Sequence, residues 1–152
     1  MKTNENERNE RKEEENMKVI IIEPGKKARK GEIGTDLESL QQAVDGYIEA
    51  IYPWEDPVCI IANEEGKLNG LKLNRALKDE EGNVYDVIAG TFIIAGLTED
   101  NFGDIPDDLM GKYLKMFESP EQFLGFGNKI IAVKCEDLEE LGKTIVEAFT
   151  ND

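Results

Sequence analysis

The stretch DVIAGTFIIAG, Asp86–Gly96, constrains the fold more than any other. It is far shorter than the roughly 20 apolar residues of a membrane span, and a glycine, Gly90, interrupts it. It reads as one strand, or as a pair of strands broken at Gly90. Three more short apolar runs read the same way. MKVIII at Met17–Ile22 is a buried first strand stopped by Pro24-Gly25, PVCIIA at 57–62 is another, and KIIAVKC at 129–135 is the last. YIEAIY begins a strand near Tyr47, with Tyr47, Glu49 and Ile51 on one side and Ile48, Ala50 and Tyr52 on the other. KLNGLKLN alternates at Leu71 and Leu73, which suits a half-buried returning strand.

Between these runs the period changes. Thr35 and Glu38 have capping-box spacing, and Leu37, Leu40, Val44 and Ile48 form one stripe that ends near Gly46. Pro106 suits the first turn of a second helix, whose face carries Leu109, Met110, Tyr113, Leu114 and Phe117. Leu138, Leu141, Ile145 and Phe149 line a final helix, and GFGN before the last strand is a flexible joint. Strands and helices mix without regular alternation. The expected fold is α+β: one mixed or antiparallel sheet with about three helices packed mainly on one face.

The chain has 152 residues, enough for one domain with a sizeable core. Residues 1–16 hold no hydrophobic residue after Met1, so they read as a disordered or frayed charged extension before a single domain at 17–152. That extension carries four basic and six acidic residues, so most of the net charge of −15 belongs to the domain. Such a field repels phosphates and anionic lipid and favours basic partners. The lysine loop at Lys26, Lys27, Arg29 and Lys30 would need to form a continuous basic face for direct nucleic-acid binding; a solvated loop is the favoured reading. Cys59 and Cys135 sit in apolar runs and are expected as buried thiols. With no visible signal peptide and no membrane span, the expected compartment is cytoplasmic.

The absence of histidine removes Ser-His-Asp and Cys-His catalysis and every histidine-containing zinc site. EPGKKARKG lacks the first glycine and the hydroxyl of a phosphate loop, and GFGNK opens onto a strand rather than a helix. Loops starting at Asp79 and Asp100 fail the calcium-loop positions. Asp104, Asp107 and Asp108 could hold a cation loosely, but capping the following helix is the favoured role. No cofactor and no metal is expected.

ANEEGKLNGLKLNRAL, Ala62–Leu77, is the most patterned stretch. Asn63–Gly66 reads as a turn with Gly66 able to take positive φ, and Asn74 as the cap of a short helical turn through Leu77. Glu64 and Glu65 could be an acid–base pair, but adjacent carboxylates on a turn ordinarily face water. Arg75 could hold an anion; pairing with Glu64 or Asp79 on the surface is the favoured reading. DEEGNV is a second turn, and its Glu80 and Glu81 would join Glu64 and Glu65 in one negative patch. Tyr52 and Trp54, close to Tyr47 and with Pro53 and Pro57 around them, are either binding anchors or core closure. The candidate binding residues are therefore Glu64, Glu65, Asn74, Arg75, Glu80, Glu81, Tyr52 and Trp54, with no catalytic residue assigned.

From Met17 to about Phe123 the chain resembles a family of small bacterial and phage proteins classified only as a domain of unknown function, number 3846. MKVIIIEPGK, DLESLQQAVDGYIEAIYPWEDP, ANEEGKLNGLKLNRAL, DVIAGTFIIAGL and PEQF carry the resemblance. It implies an accessory protein of a phage or conjugative element and brings no catalytic residues. The leading expectation is a non-enzymatic protein that binds a host or element-encoded protein, with an acidic decoy in anti-defence as a sub-case. The alternative is a small-molecule or nucleotide binder, or an enzyme, using the Asn63–Arg75 region. A pocket joining Arg75, Asn74 and Glu49 would favour that alternative; a flat acidic face would favour the first.

Overall fold

The computed structural model describes residues 16–135. The expected final helix, its stripe from Leu138 to Phe149, and nearly all of the charged extension lie outside them. The described part contains ten strands and two helices: β1 (Asn16–Ile22), β2 (Arg29–Gly34), α1 (Leu37–Val44), β3 (Ile48–Ile51), β4 (Val58–Asn63), β5 (Leu73–Lys78), β6 (Val84–Ala89), β7 (Phe92–Leu97), β8 (Phe102–Gly103), α2 (Asp107–Met116), β9 (Glu121–Phe126) and β10 (Lys129–Lys134).

This corrects the expected fold class. The described residues are mostly β, and their strands form three sheets rather than one. The largest is antiparallel, in the order β2-β1-β7-β4-β3 with β8 paired to β7; β5-β6 and β9-β10 are separate two-stranded sheets. Nor do the helices share a face. In β1, β4 and β7 alternate side chains go to opposite sides, as the pleat requires. Met17, Val19, Cys59, Ile61, Ile93 and Ala95 pack with Leu40 and Val44 of α1. Ile20, Ile22, Ile60, Phe92 and Ile94 pack with Met110, Tyr113 and Phe117 around α2, and with Leu77 and Ile88 of the β5–β6 hairpin. The central strands are covered on both faces, which is why they read as unbroken apolar runs rather than alternating ones.

Local sequence accounts for the remaining elements. Asp36, not Thr35, caps α1: its Oδ2 accepts the Ser39 N–H at 3.1 Å. The helix ends on Asp45 at φ 59°, with Gly46 N–H closing onto the Gln41 carbonyl at 3.0 Å. Leu40 and Val44 are buried, but Leu37, at the head of the predicted stripe, is exposed. Gly90, at φ 81°, breaks β6 from β7 as expected. GFGN is no joint: Gly127 and Asn128 are the two-residue connection of the β9–β10 hairpin, with Gly127 at φ 60°. Cys59 is buried as expected, whereas Cys135 is exposed because it follows the end of β10.

Candidate functional site

Asn74-Arg75 is where the structure departs furthest from the sequence reading. These residues do not begin a helical turn; they lie inside β5, and both side chains are fully buried. Asn74 Nδ2 donates to the carbonyl oxygens of Ile22 and Gly90, each at 2.8 Å, and so ties β5 to the central sheet. No described surface residue pairs with Arg75. Its Nη1 donates to Asn74 Oδ1 at 2.8 Å and Asn74 O at 3.2 Å, its Nη2 to Lys26 O at 2.7 Å and Phe117 O at 3.0 Å, and its Nε to Phe117 O at 3.2 Å. Neutral acceptors thus take all five guanidinium donors. Burial pulls the guanidinium below its ordinary acidity range, and the nearby Glu121 carboxylate pulls the other way. Arg75 is a clamp joining the β1–β2 loop, β5 and the end of α2, not an anion site.

Glu64 and Glu65 are exposed, as expected of a turn. Asn63 builds that turn: its Oδ1 accepts the Glu65 N–H at 2.9 Å, while its Nδ2 donates to the Val44 and Asp45 carbonyls at the end of α1. Gly66 is not at positive φ. It is needed because a Cβ there would stand 2.7 Å from the Ala89 carbonyl oxygen; Gly70, at φ 70°, takes the left-handed position instead.

The turn walls a cleft of about 300 Å³ between β3, β4 and β6. Ile51, Ala62 and Ile88 form an aliphatic floor, and Glu49, Glu64, Glu65 and Asp86 supply carboxylates. The one cation among the lining residues, Lys67, is bound to Asp86 at 2.6 Å. Neither Asn74 nor Arg75 lines this cleft, so the structure does not join them to Glu49 in a pocket.

Glu80 and Glu81 lie elsewhere. Gly66 sits against Ala89 at one end of the β5–β6 hairpin, and the Asp79–Asn83 turn closes the other, beyond the Lys78–Val84 pair. Five residues of strand, roughly 16 Å, separate the two acidic corners. Asp79 Oδ1 organises its turn by accepting the Glu81 and Asn83 N–H groups, and Gly82 takes φ 84°.

Trp54 and Glu80 line a more open groove of about 620 Å³, together with Tyr85 and Met116. It continues into a recess of about 320 Å³ that reaches Phe117, Glu121 and Lys134. Trp54 is both wall and core: its ring lies 4.6 Å from that of Tyr113 and 6.0 Å from that of Phe117. Tyr85 and Met116, which the sequence reading missed, are both exposed there; their exposure follows from strand and helix phase, which a single loop-edge aromatic motif does not reveal. Tyr52 is 61% exposed and lies apart from both depressions. At the groove's edge Asp56 Oδ2 accepts both the Lys112 ammonium and the Tyr113 hydroxyl at 2.6 Å. Lys112 and Tyr113 hold the Asp56 carboxyl below the usual range, while burial and Asp56 push the Tyr113 hydroxyl up.

Two of the four cations of the lysine loop, Lys26 and Arg29, pair with Glu23. Asp104 accepts the Lys18 N–H at 2.7 Å, while Asp107 and Asp108 occupy the first turn of α2. No group of three or more acidic or thiol side chains among the described residues is arranged to hold a metal ion. No helix among them is long and apolar enough to cross a membrane.

A family model described as a domain of unknown function, DUF3846, matches residues 17–118. No curated protein and no solved structure matches the chain. The match spans β1 through α2 and stops just before the β9–β10 hairpin.

The chain belongs to the DUF3846 family.

Proposed function

We propose that this DUF3846 protein is a non-enzymatic accessory protein that acts by binding another protein, and that the partner presents basic residues to the cleft at Glu49, Glu64 and Glu65. The family resemblance motivates the setting, a mobile genetic element, and hence a host or element-encoded partner. An acidic decoy that fills a nucleic-acid groove on that partner is the form the net charge favours. One observation carries the reading. The cleft combines an aliphatic floor with exposed carboxylates, and its lone lining cation is already neutralised by Asp86. That arrangement suits the stem and head of a lysine or arginine side chain. The test immobilises the full-length protein and a Glu64→Lys/Glu65→Lys variant and exposes both to host lysate at low and high salt. A basic protein held by the wild type at low salt, released at high salt and not held by the variant supports the reading. Equal retention by both overturns it.

A second reading, small-molecule binding, moves from the Asn63–Arg75 region to the groove walled by Trp54, Tyr85 and Met116, whose aromatic and thioether surfaces suit a planar organic ligand. Trp54 is the only tryptophan, so intrinsic fluorescence reports occupancy directly.

A further inference from the structure

The structure points to β3 as a strand-addition site, and we propose that it accepts an extended, lysine- or arginine-rich segment of a protein partner. The inference rests on the reading of a basic partner above and specifies how that partner binds.

The hydrogen-bond parity of the central sheet leaves the β3 edge open. Leu97 N–H donates to the Pro57 carbonyl at 2.9 Å, which turns the odd-numbered residues of β4 toward β7. Glu64 N–H donates to the Tyr47 carbonyl at 2.8 Å, so Glu49 and Ile51 bond to Ala62 and Ile60 across the β3–β4 ladder. The main-chain groups of Ile48 and Ala50 therefore face away from the sheet, and no described group bonds to them.

The edges at β2, β5 and β6 carry blocking devices. β2 presents Arg29, Lys30 and Glu32. On the β5–β6 hairpin, the outward Ala76 N–H is taken by Glu121 Oε1 at 3.1 Å and the Val87 N–H by Asp86 Oδ1 at 2.8 Å. Among the described residues no side chain takes an outward amide of β3, and the strand carries fewer charges than β2. Its one charged residue is Glu49, and exposed Tyr47 and Tyr52 flank it.

Charge complementarity selects the occupant. Glu49 and Ile51 lie on the side of β3 that lines the acidic cleft, close to Glu64 and Glu65. A strand laid along β3 sends every second side chain to that side. A basic residue beside Glu49 would reach the cleft while the partner's main chain bonds to Ile48 and Ala50, the combination that gives strand-addition complexes both affinity and specificity. A second copy of the chain fits less well, because a net charge of −15 repels its like.

The probe is a synthetic peptide of alternating lysine and valine, titrated into the full-length protein at low ionic strength while amide exchange is followed by NMR. Saturation is expected to slow exchange at Ile48 and Ala50 by at least about tenfold. Ala50→Pro removes only an outward N–H, a position where an edge strand tolerates proline, so it is expected to keep the melting transition and weaken peptide binding by about tenfold or more. The amide readout on the unmodified protein stands whether or not that variant folds. Peptide binding that Glu64→Lys/Glu65→Lys weakens but that leaves Ile48 and Ala50 unprotected overturns strand addition and leaves the basic-partner reading standing. No binding at low salt overturns both. Concentration-dependent protection of these two amides without peptide identifies a second copy as the occupant and overturns the proposal.

Discussion

Arg75 donates from Nε and Nη2 to a single carbonyl oxygen, that of Phe117, at 3.2 and 3.0 Å. Phe117 lies just past the end of α2, where carbonyls lack partners within the helix. The guanidinium satisfies one of them and holds the Lys26 carbonyl with the same fork. Arg75→Met should leave these buried acceptors unpaired and lower stability by about 2–5 kcal/mol, read from the urea midpoint. Arg75→Lys keeps the charge but offers three donors in place of five, and should fall between the two. A wild-type midpoint for Arg75→Met would show that the clamp is not structural.

The two thiols should behave oppositely. Cys59 lies in the core on the α1 side, and burial pushes its thiol up to about 11. Cys135 is exposed. A thiol reagent at pH 8 should therefore modify one cysteine in the native protein and two in denaturant. The raised Cys59 value also has a sign for stability. Its contribution is intact below the ordinary value of 9.0 and is lost as pH rises toward about 11. Cys59→Ala should show a smaller fall in urea midpoint between pH 8 and pH 11 than the wild type. Part of the fall should persist, because Tyr113 is likewise held up by burial and by Asp56.

Gly96 and Gly111 should respond to alanine in opposite ways. A Cβ on Gly96 would collide with the Asp104 carbonyl oxygen, where β7 meets the chain leaving β8. Gly96→Ala should cost about 1–3 kcal/mol, as overpacking does. Gly111 lies inside α2 with nothing within 4 Å of such an atom. Gly111→Ala should be neutral or stabilise by up to about 1 kcal/mol. Equal effects at the two positions would contradict the packing described for β7.

Much of the central sheet was legible because Met17–Ile22, Val58–Asn63 and Phe92–Leu97 are apolar runs bounded by turn residues. The stripes Leu40–Val44 and Met110–Tyr113–Phe117 similarly disclosed both helices. Which face each helix covers was not legible, since strands buried on both sides carry no alternation to separate the faces. Asn74 misled because a local cap and a distant pair of carbonyls call for the same side chain, and only the fold brings Ile22 and Gly90 to it. Arg75 misled for the same reason. Arginine is rarely fully buried, and its acceptors at Lys26 and Phe117 lie 49 and 42 residues away in sequence. At the candidate site, the exposure of Glu64 and Glu65 followed from turn chemistry. The cleft beside them depends on β6 lying over β3 and β4, a contact that no local pattern encodes.

The most direct test of the basic-partner account is the affinity of the lysine–valine peptide for the wild type and for Glu64→Lys/Glu65→Lys, measured by fluorescence anisotropy at low and high ionic strength. Exposed substitutions at a turn usually change stability by no more than roughly 0.5 kcal/mol each, so the variant should melt close to the wild type. The account predicts that reversal weakens binding by about tenfold or more at low salt and far less at high salt, where screening has already removed the attraction. Equal affinity of the two proteins at low salt would contradict it.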